Sequence, residues 1–194
     1  MQGAEIELKF PVADLWALRS KIAGLGFHLR TERTLEHNTL YDTPERSLRA
    51  RGQIMRLRTY GSRCTLTHKR QPPHNEIGSR YKMRIETESG IEDCDALAEI
   101  FAQLGYAPVF HYEKFRTEWD SQETDGHLVV DETPIGIWAE LEGDPAWIDS
   151  VMERLGVGDS TTASYGRLFL EWKEQTGSPA ENMTFAETQL VPSL

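Results

Sequence analysis

The sequence predicts an α+β protein built on a closed eight-stranded antiparallel β-barrel with helices packed on its outside. Three observations lead there. Eight segments alternate apolar and polar residues with the period of two that marks a strand with unlike faces. Three further segments place apolar residues at spacings of three and four, the stripe of a helix that lies on an apolar surface. On most of the strands, finally, the polar face is a dense row of Arg, Lys and Glu with few neutral spacers. The 194 residues are enough for one large domain or two small ones. They divide here into a single barrel domain over residues 1–176 and a C-terminal tail over residues 177–194.

The first strand covers residues 3–10, where Glu5-Ile6-Glu7-Leu8-Lys9 alternates strictly. The first helix follows over residues 13–25, with Leu15, Leu18, Ile22 and Leu25 on one face, Asp14 as its cap and Gly26 as its stop. Strands are expected at 36–42, 53–60 and 63–69, the last two joined by a turn at Tyr60-Gly61-Ser62-Arg63. Residues 71–79, with Pro72, Pro73 and Gly78, read as a mobile loop before a strand at 80–88. The second helix, residues 94–104, presents Leu97, Ile100, Phe101 and Leu104 and ends at Gly105. Strands at 111–119, 127–131 and 135–142 come next, with a hairpin turn at Asp131-Glu132-Thr133-Pro134. A third helix over 146–155 buries Ile148, Val151, Met152 and Leu155 and stops at Gly156, and a fourth covers 164–174. From Gly177 onward the composition reads as a poorly packed tail. A loose echo runs through the chain: Glu5/Glu7, Glu86/Glu88 and Glu140/Glu142 each sit on a strand that precedes a helix ending in Leu-Gly.

On the first strand Glu5, Glu7 and Lys9 share one face, about 7 Å apart, and Ile6, Leu8 and Phe10 share the other. Paired carboxylates suit a hard divalent cation and a lysine beside them suits an anion. Taken alone, the strand reads first as a solvated outer face with a few salt bridges. Other strands repeat the pattern: Arg56 with Arg58; Lys82 and Arg84 with Glu86 and Glu88; Lys114 and Arg116 with Glu118; Glu140 with Glu142; and Lys69 at the end of its strand. Two architectures accommodate these rows. Either the charged faces are surface, or the sheet closes and the charges line its interior while helices keep the exterior dry. Repulsion within Arg56/Arg58 or Glu140/Glu142 favours the closed form, in which a ligand neutralises them.

Composition excludes several classes. The net charge of −10 argues against general nucleic-acid binding. No run of 18 apolar residues occurs, so no membrane span is expected, and no secretory signal is visible. Cys64 and Cys94 alone make neither a disulfide framework nor a cysteine zinc site, which points to a reducing, cytoplasmic home. His37, His68, His74, His111 and His127 lack metal-ligand spacing and read as ordinary polar residues. Trp16, Trp138, Trp147 and Trp172 read as packing residues.

The ordered set of rows resembles one family. Glu5-Ile6-Glu7-Leu8-Lys9 is similar to the ExExK signature of the CYTH superfamily, the triphosphate tunnel metalloenzymes, which includes inorganic triphosphatases, thiamine triphosphatases and class IV adenylate cyclases. Tyr41-Asp42-Thr43-Pro44 through Arg56-Leu57-Arg58, then Lys69, Arg84-Ile85-Glu86-Thr87-Glu88, Lys114-Phe115-Arg116, Asp131, Glu140-Leu141-Glu142 and Ser164-Tyr165 match its later elements in order. The resemblance implies that Lys9, Arg56, Arg58, Lys69, Arg84, Lys114 and Arg116 bind a small-molecule triphosphate. It implies that Glu5, Glu7, Glu86, Glu88, Asp131, Glu140 and Glu142 hold Mg²⁺ or Mn²⁺, with Glu7, Lys9, Glu140 and Glu142 closest to the chemistry. Hydrolysis of inorganic tripolyphosphate or an organic triphosphate such as thiamine triphosphate is the expected reaction. Cyclisation of ATP to cyclic AMP and pyrophosphate is the second reading, and a non-catalytic polyphosphate-binding module the third. No nucleic-acid or membrane partner is expected, and pairing into a homodimer stays open.

Overall fold

The computed structural model describes residues 2–73 and 80–189. Residues 74–79, on which most of the expected loop falls, and the end of the tail lie outside the described residues. Eight strands, β1 (Gln2–Pro11), β2 (Phe27–Asp42), β3 (Ile54–Tyr60), β4 (Arg63–Arg70), β5 (Lys82–Ile91), β6 (Ala107–Ser121), β7 (His127–Thr133) and β8 (Gly136–Glu142), form a closed barrel. Its order is β1-β5-β4-β3-β2-β6-β7-β8, and the strand pairs are antiparallel. The interior is charged, the arrangement the charged rows favour, and helices cover parts of the exterior.

Outward side chains of β1, β7 and β8 (Leu8, Phe10, Leu128, Val130, Ala139, Leu141) make the main core with two helices. α1 (Leu15–Ala23) brings Leu18 and Ile22, and α4 (Pro145–Leu155) brings Ile148, Val151, Met152 and Leu155. α1 starts where the Asp14 carboxylate accepts from Ala17 N at 2.9 Å, and it ends at Gly24, two residues before the expected stop. α4 ends on Gly156 in the left-handed region, φ 69°, which a residue without Cβ adopts freely. A short α2 (Ser47–Ala50) follows the Tyr41-Asp42-Thr43-Pro44 segment, and the Asp42 carboxylate accepts from Thr43, Leu48 and Arg49 N. α3 (Cys94–Gln103) lays Phe101 on Tyr41 and Leu57.

Five expectations need correction. β2 begins nine residues earlier than residue 36, because register shifts at Leu29/Thr31 and Thr31/Thr34 break its period of two. The β7–β8 turn is residues 134 and 135: β7 continues through Thr133, whose hydroxyl accepts from Ile135 N and donates to Gly136 O. Trp16 is 81% exposed, since the buried stripe of α1 runs through Leu18 and Ile22 on another side of the helix. Cys64 and Cys94, 30 residues apart, are joined by a disulfide that ties β4 to the start of α3, with Cα atoms 6.0 Å apart. The barrel closure supplies that proximity, which the separation in sequence hides.

The last correction concerns the tail. α5 (Tyr165–Thr176) ends at Gly177, and the chain then packs back onto the barrel, with Ala180, Met183 and Thr188 buried. Met183 accepts from Glu113 N and donates to His111 O, pairing with the part of β6 that extends beyond its pairing with β7. The side chain of Asn182 accepts from His111 N, Glu113 accepts from Phe185 N, and Phe185 stacks on Phe115. A final turn, α6 (Phe185–Thr188), follows. A backbone edge that would otherwise be unpaired explains why a polar segment is ordered here. Among the described residues no helix is long and apolar enough to cross a membrane.

Candidate functional site

Alternation along each strand puts the charged rows inside the barrel, where they line a cavity of about 330 Å³. Glu5, Glu7 and Lys9 come from β1; Arg56 and Arg58 from β3; Lys69 from β4; Lys82, Glu86 and Glu88 from β5; Lys114 and Arg116 from β6; and Glu140 and Glu142 from β8. Tyr112 and Tyr165 are among the other residues that line it. Arg84 shares the inward row of β5 by parity, but it is not among the lining side chains.

The middle of the cavity is a network of buried charges. Asp131, 0% exposed, takes a bidentate contact from Arg116 (Nε to Oδ1 and Nη2 to Oδ2, both 2.7 Å), Lys114 at 2.8 Å and the Tyr165 hydroxyl at 2.6 Å. Glu140 receives Lys9 at 2.6 Å and Arg116 at 3.1 Å. Burial alone would raise the Glu140 carboxyl, but Lys9, Arg116 and Lys114 hold it well below the usual range. Burial likewise disfavours charged Lys9, and Glu140 and Glu7 reverse that, leaving the ammonium raised. Lys9 also lies over the Tyr165 ring, 4.2 Å from its centre. Arg56 donates to Tyr112 (3.3 Å) and Thr67 (3.2 Å), and Thr67 donates to Glu88 at 2.6 Å. Lys69 pairs with Glu5 at 3.1 Å and closely with Glu86, and Lys82 pairs closely with Glu7.

At one end of this network the signs stop balancing. Glu5, Glu7 and Glu142 each offer a carboxylate oxygen, all within 4.8 Å of one another. Burial and the Glu5 and Glu140 carboxylates push Glu142 up to about 8. Three hard oxygen donors so crowded that one retains a proton fit a Mg²⁺- or Mn²⁺-like cation, which would replace that proton. The other carboxylates expected as metal ligands are not brought into this trio. Asp131 and Glu140 are taken up by Lys114, Arg116, Tyr165 and Lys9, and Glu86 by Lys69. Glu88 lies beside Arg56 and Arg58, at 3.7 and 3.6 Å.

The cavity opens differently at its two ends. Beside the trio, Glu86, Glu88, Asp125, Asp144 and His127 form an acidic mouth, and His127 Nδ1 stands 2.6 Å from Asp120. At the other end Leu40, Ile54, Ser164 and Gly166 are shared with a space of about 430 Å³ that Phe110, Phe169, Arg46, Arg49 and Arg167 also wall. Reasoning from sequence missed Arg30, which lines the cavity, and three further inward residues. Glu36 and Asn38 sit on β2 among Thr, Leu and His, where no charged row announces them, and Tyr112 stands beside the expected Lys114 in the same row. Strand parity counted back from Lys114 through the β2–β6 register would have found all three.

A family model described as the CYTH domain matches residues 3–144. A candidate adenylate cyclase of Methanocaldococcus jannaschii is 25% identical over 154 residues, 78% of this chain and 85% of that protein. A solved protein of Pyrococcus horikoshii superposes with a TM-score of 0.70 at 23% identity, covering 86% of this chain and 98% of its own. A Hippeastrum protein, described as a candidate adenylyl cyclase with a dominant triphosphatase activity, gives 0.63 at 20% identity, covering 88% and 96%. At such identities the two structures speak for the shared fold. The matched span runs from before the Glu5–Glu7 pair to beyond Glu142 and takes in the buried cations between them, and the chain belongs to the CYTH domain family.

Proposed function

We propose that the protein hydrolyses a triphosphate inside the barrel with the help of a divalent cation. One observation carries this reading: a cavity inside the closed barrel in which Lys9, Arg56, Arg58, Lys69, Lys114 and Arg116 face the carboxylate trio of Glu5, Glu7 and Glu142. Phosphoryl transfer needs charge neutralisation and positioning more than covalent help. The buried cations supply both to a chain of phosphates, and Asp131 and Glu140 fix Arg116, Lys114 and Lys9 before the substrate arrives. Glu5, Glu7 and Glu142 would hold Mg²⁺ or Mn²⁺. When bound, such a cation supplies Lewis-acid neutralisation of phosphate oxygens and acidifies water. Lys69 and Lys82, paired with Glu5, Glu86 and Glu7, keep the trio in place and lie where terminal phosphate oxygens can accept from them.

Cyclisation of ATP is a second reading, favoured by the space beside Leu40, Ile54, Phe110 and Phe169, which is large enough for a small organic group. The adenylate cyclase name of the Methanocaldococcus relative points the same way, and the dominant activity of the Hippeastrum protein points to hydrolysis. Incubation with tripolyphosphate, thiamine triphosphate and ATP, each with Mg²⁺ or Mn²⁺, separates them. Phosphate release is the expected result; cyclic AMP with an equal amount of pyrophosphate would replace hydrolysis by cyclisation. Binding without turnover would leave a polyphosphate-binding module.

A further inference from the structure

Beneath the cations that line the cavity lies a carboxylate that does not line it. Glu36 is 0% exposed, on the inward row of β2. Its Oε1 accepts from Asn38 Nδ2 at 2.9 Å and lies 3.4 Å from Lys114 Nζ. Its Oε2 is 3.9 Å from both Arg58 and Arg116 and has no hydrogen-bond partner among the described residues. Asp131 treats the same cations differently, gripping Arg116 with two contacts at 2.7 Å and Lys114 with one at 2.8 Å. Asp131 therefore sets the geometry of these side chains, and what Glu36 adds is charge. Lys114, Arg116 and Arg58, the cations around it, all face the cavity.

We propose that Glu36 is a counter-charge built under the anion grip, which limits how tightly the tunnel holds phosphate anions so that the shorter product can leave. The inference rests on the triphosphate reading above. Hydrolysis of a triphosphate leaves pyrophosphate and phosphate, both still polyanions. A grip that bound substrate and products equally would gain nothing in turnover and would be limited by release. A fixed negative charge one side chain behind the phosphates weakens all of them. Through protein of intermediate effective dielectric the effect is on the order of ten-fold in affinity.

The test is calorimetric titration of pyrophosphate into the wild type, Glu36→Gln and Glu36→Asp. Glu36→Gln keeps shape and removes the charge, and it should bind pyrophosphate about ten-fold tighter, with kcat and KM for tripolyphosphate falling together. Glu36→Asp keeps the charge and shortens the side chain, and it should bind pyrophosphate within about two-fold of the wild type. A Glu36 that merely braces the fold predicts weaker binding in both variants. Unchanged or weaker pyrophosphate affinity in Glu36→Gln overturns the proposal. Should Glu36→Gln fail to fold, clearly weaker pyrophosphate binding by Glu36→Asp overturns it alone. If the wild type binds neither pyrophosphate nor tripolyphosphate, the triphosphate reading itself fails.

Discussion

Glu140 and Glu142 stand two residues apart on the same inward row of β8, yet their carboxyl groups are driven in opposite directions. Burial disfavours the charge of both. Glu140 has Lys9 at 2.6 Å and Arg116 at 3.1 Å, and it is held well below the ordinary range. Glu142 has Glu5 and Glu7 for company and is pushed up to about 8. One layer of the barrel interior is thus complete without a ligand, its cations set in place by Asp131 and Glu140. In the next layer Lys69 and Lys82 pair with Glu5 and Glu7, but Glu142 is left among carboxylates, which a cation would relieve. The interior is preorganised around Asp131 and carries a surplus of negative charge at Glu142.

The largest effect should follow from breaking the complete layer. Asp131→Asn leaves Lys114 and Arg116 with a lost counter-charge in a buried site, and is expected to destabilise the fold by about 3–5 kcal/mol in urea unfolding. Glu142→Gln, by contrast, removes repulsion and should leave stability equal or higher. A loss for Glu142→Gln as large as that for Asp131→Asn would erase the distinction between the layers.

A smaller effect should come from filling the layer around Glu142. With Mg²⁺ at about a hundred times its dissociation constant, stabilisation of about 2.7 kcal/mol is expected, a rise in Tm of roughly 5–10 °C for a chain of this size. Glu142→Gln should lose most of it. Without a cation, Glu142 also imposes a pH dependence. Its folded value of about 8 lies above the ordinary value of 4.5, so in that window the folded state keeps a proton the unfolded state has shed. Stability therefore falls as pH rises from about 4.5 to about 8. Thermal melts across that window should show the fall in wild type and a flatter line in Glu142→Gln.

Asp42, on the outside of the site, gives the smallest effect and the opposite sign. Burial would raise its carboxyl, but the N–H groups of Leu48, Arg49 and Thr43 hold it below the ordinary range. Its contribution is present above the unfolded value and is lost as pH falls through the folded one. Asp42→Ala should remove about 1 kcal/mol at neutral pH, with no change in the stabilisation by Mg²⁺. A variant that altered the Mg²⁺ response would tie α2 to the trio.

How far the sequence could be read depended on the regularity of each strand. β1, β3, β8 and the inward rows of β5 and β6 keep strict alternation, so their charged residues and the barrel they imply could be read directly. β2 could not be read in full, because its bulges and mixed Thr, His and Asn positions hide both its first nine residues and Glu36. The ordered tail and the Cys64–Cys94 bridge were illegible for another reason: both depend on which strand edges and corners closure brings together. Roles within the Glu-rich rows were also beyond the pattern. Glu140 and Glu142 look alike in sequence, and only their cross-barrel neighbours tell them apart.

The most direct test of the central claim is phosphate release from tripolyphosphate, with Mg²⁺ or Mn²⁺, by the wild type and by Glu7→Gln. Glu7 belongs to the trio and pairs with Lys82, so its loss should strike the reaction while the buried network around Asp131 stays intact. The account predicts clear release by the wild type and a fall of about 10²–10³ in kcat for a variant that melts like it. Equal release by the two proteins, or none by the wild type, would contradict it.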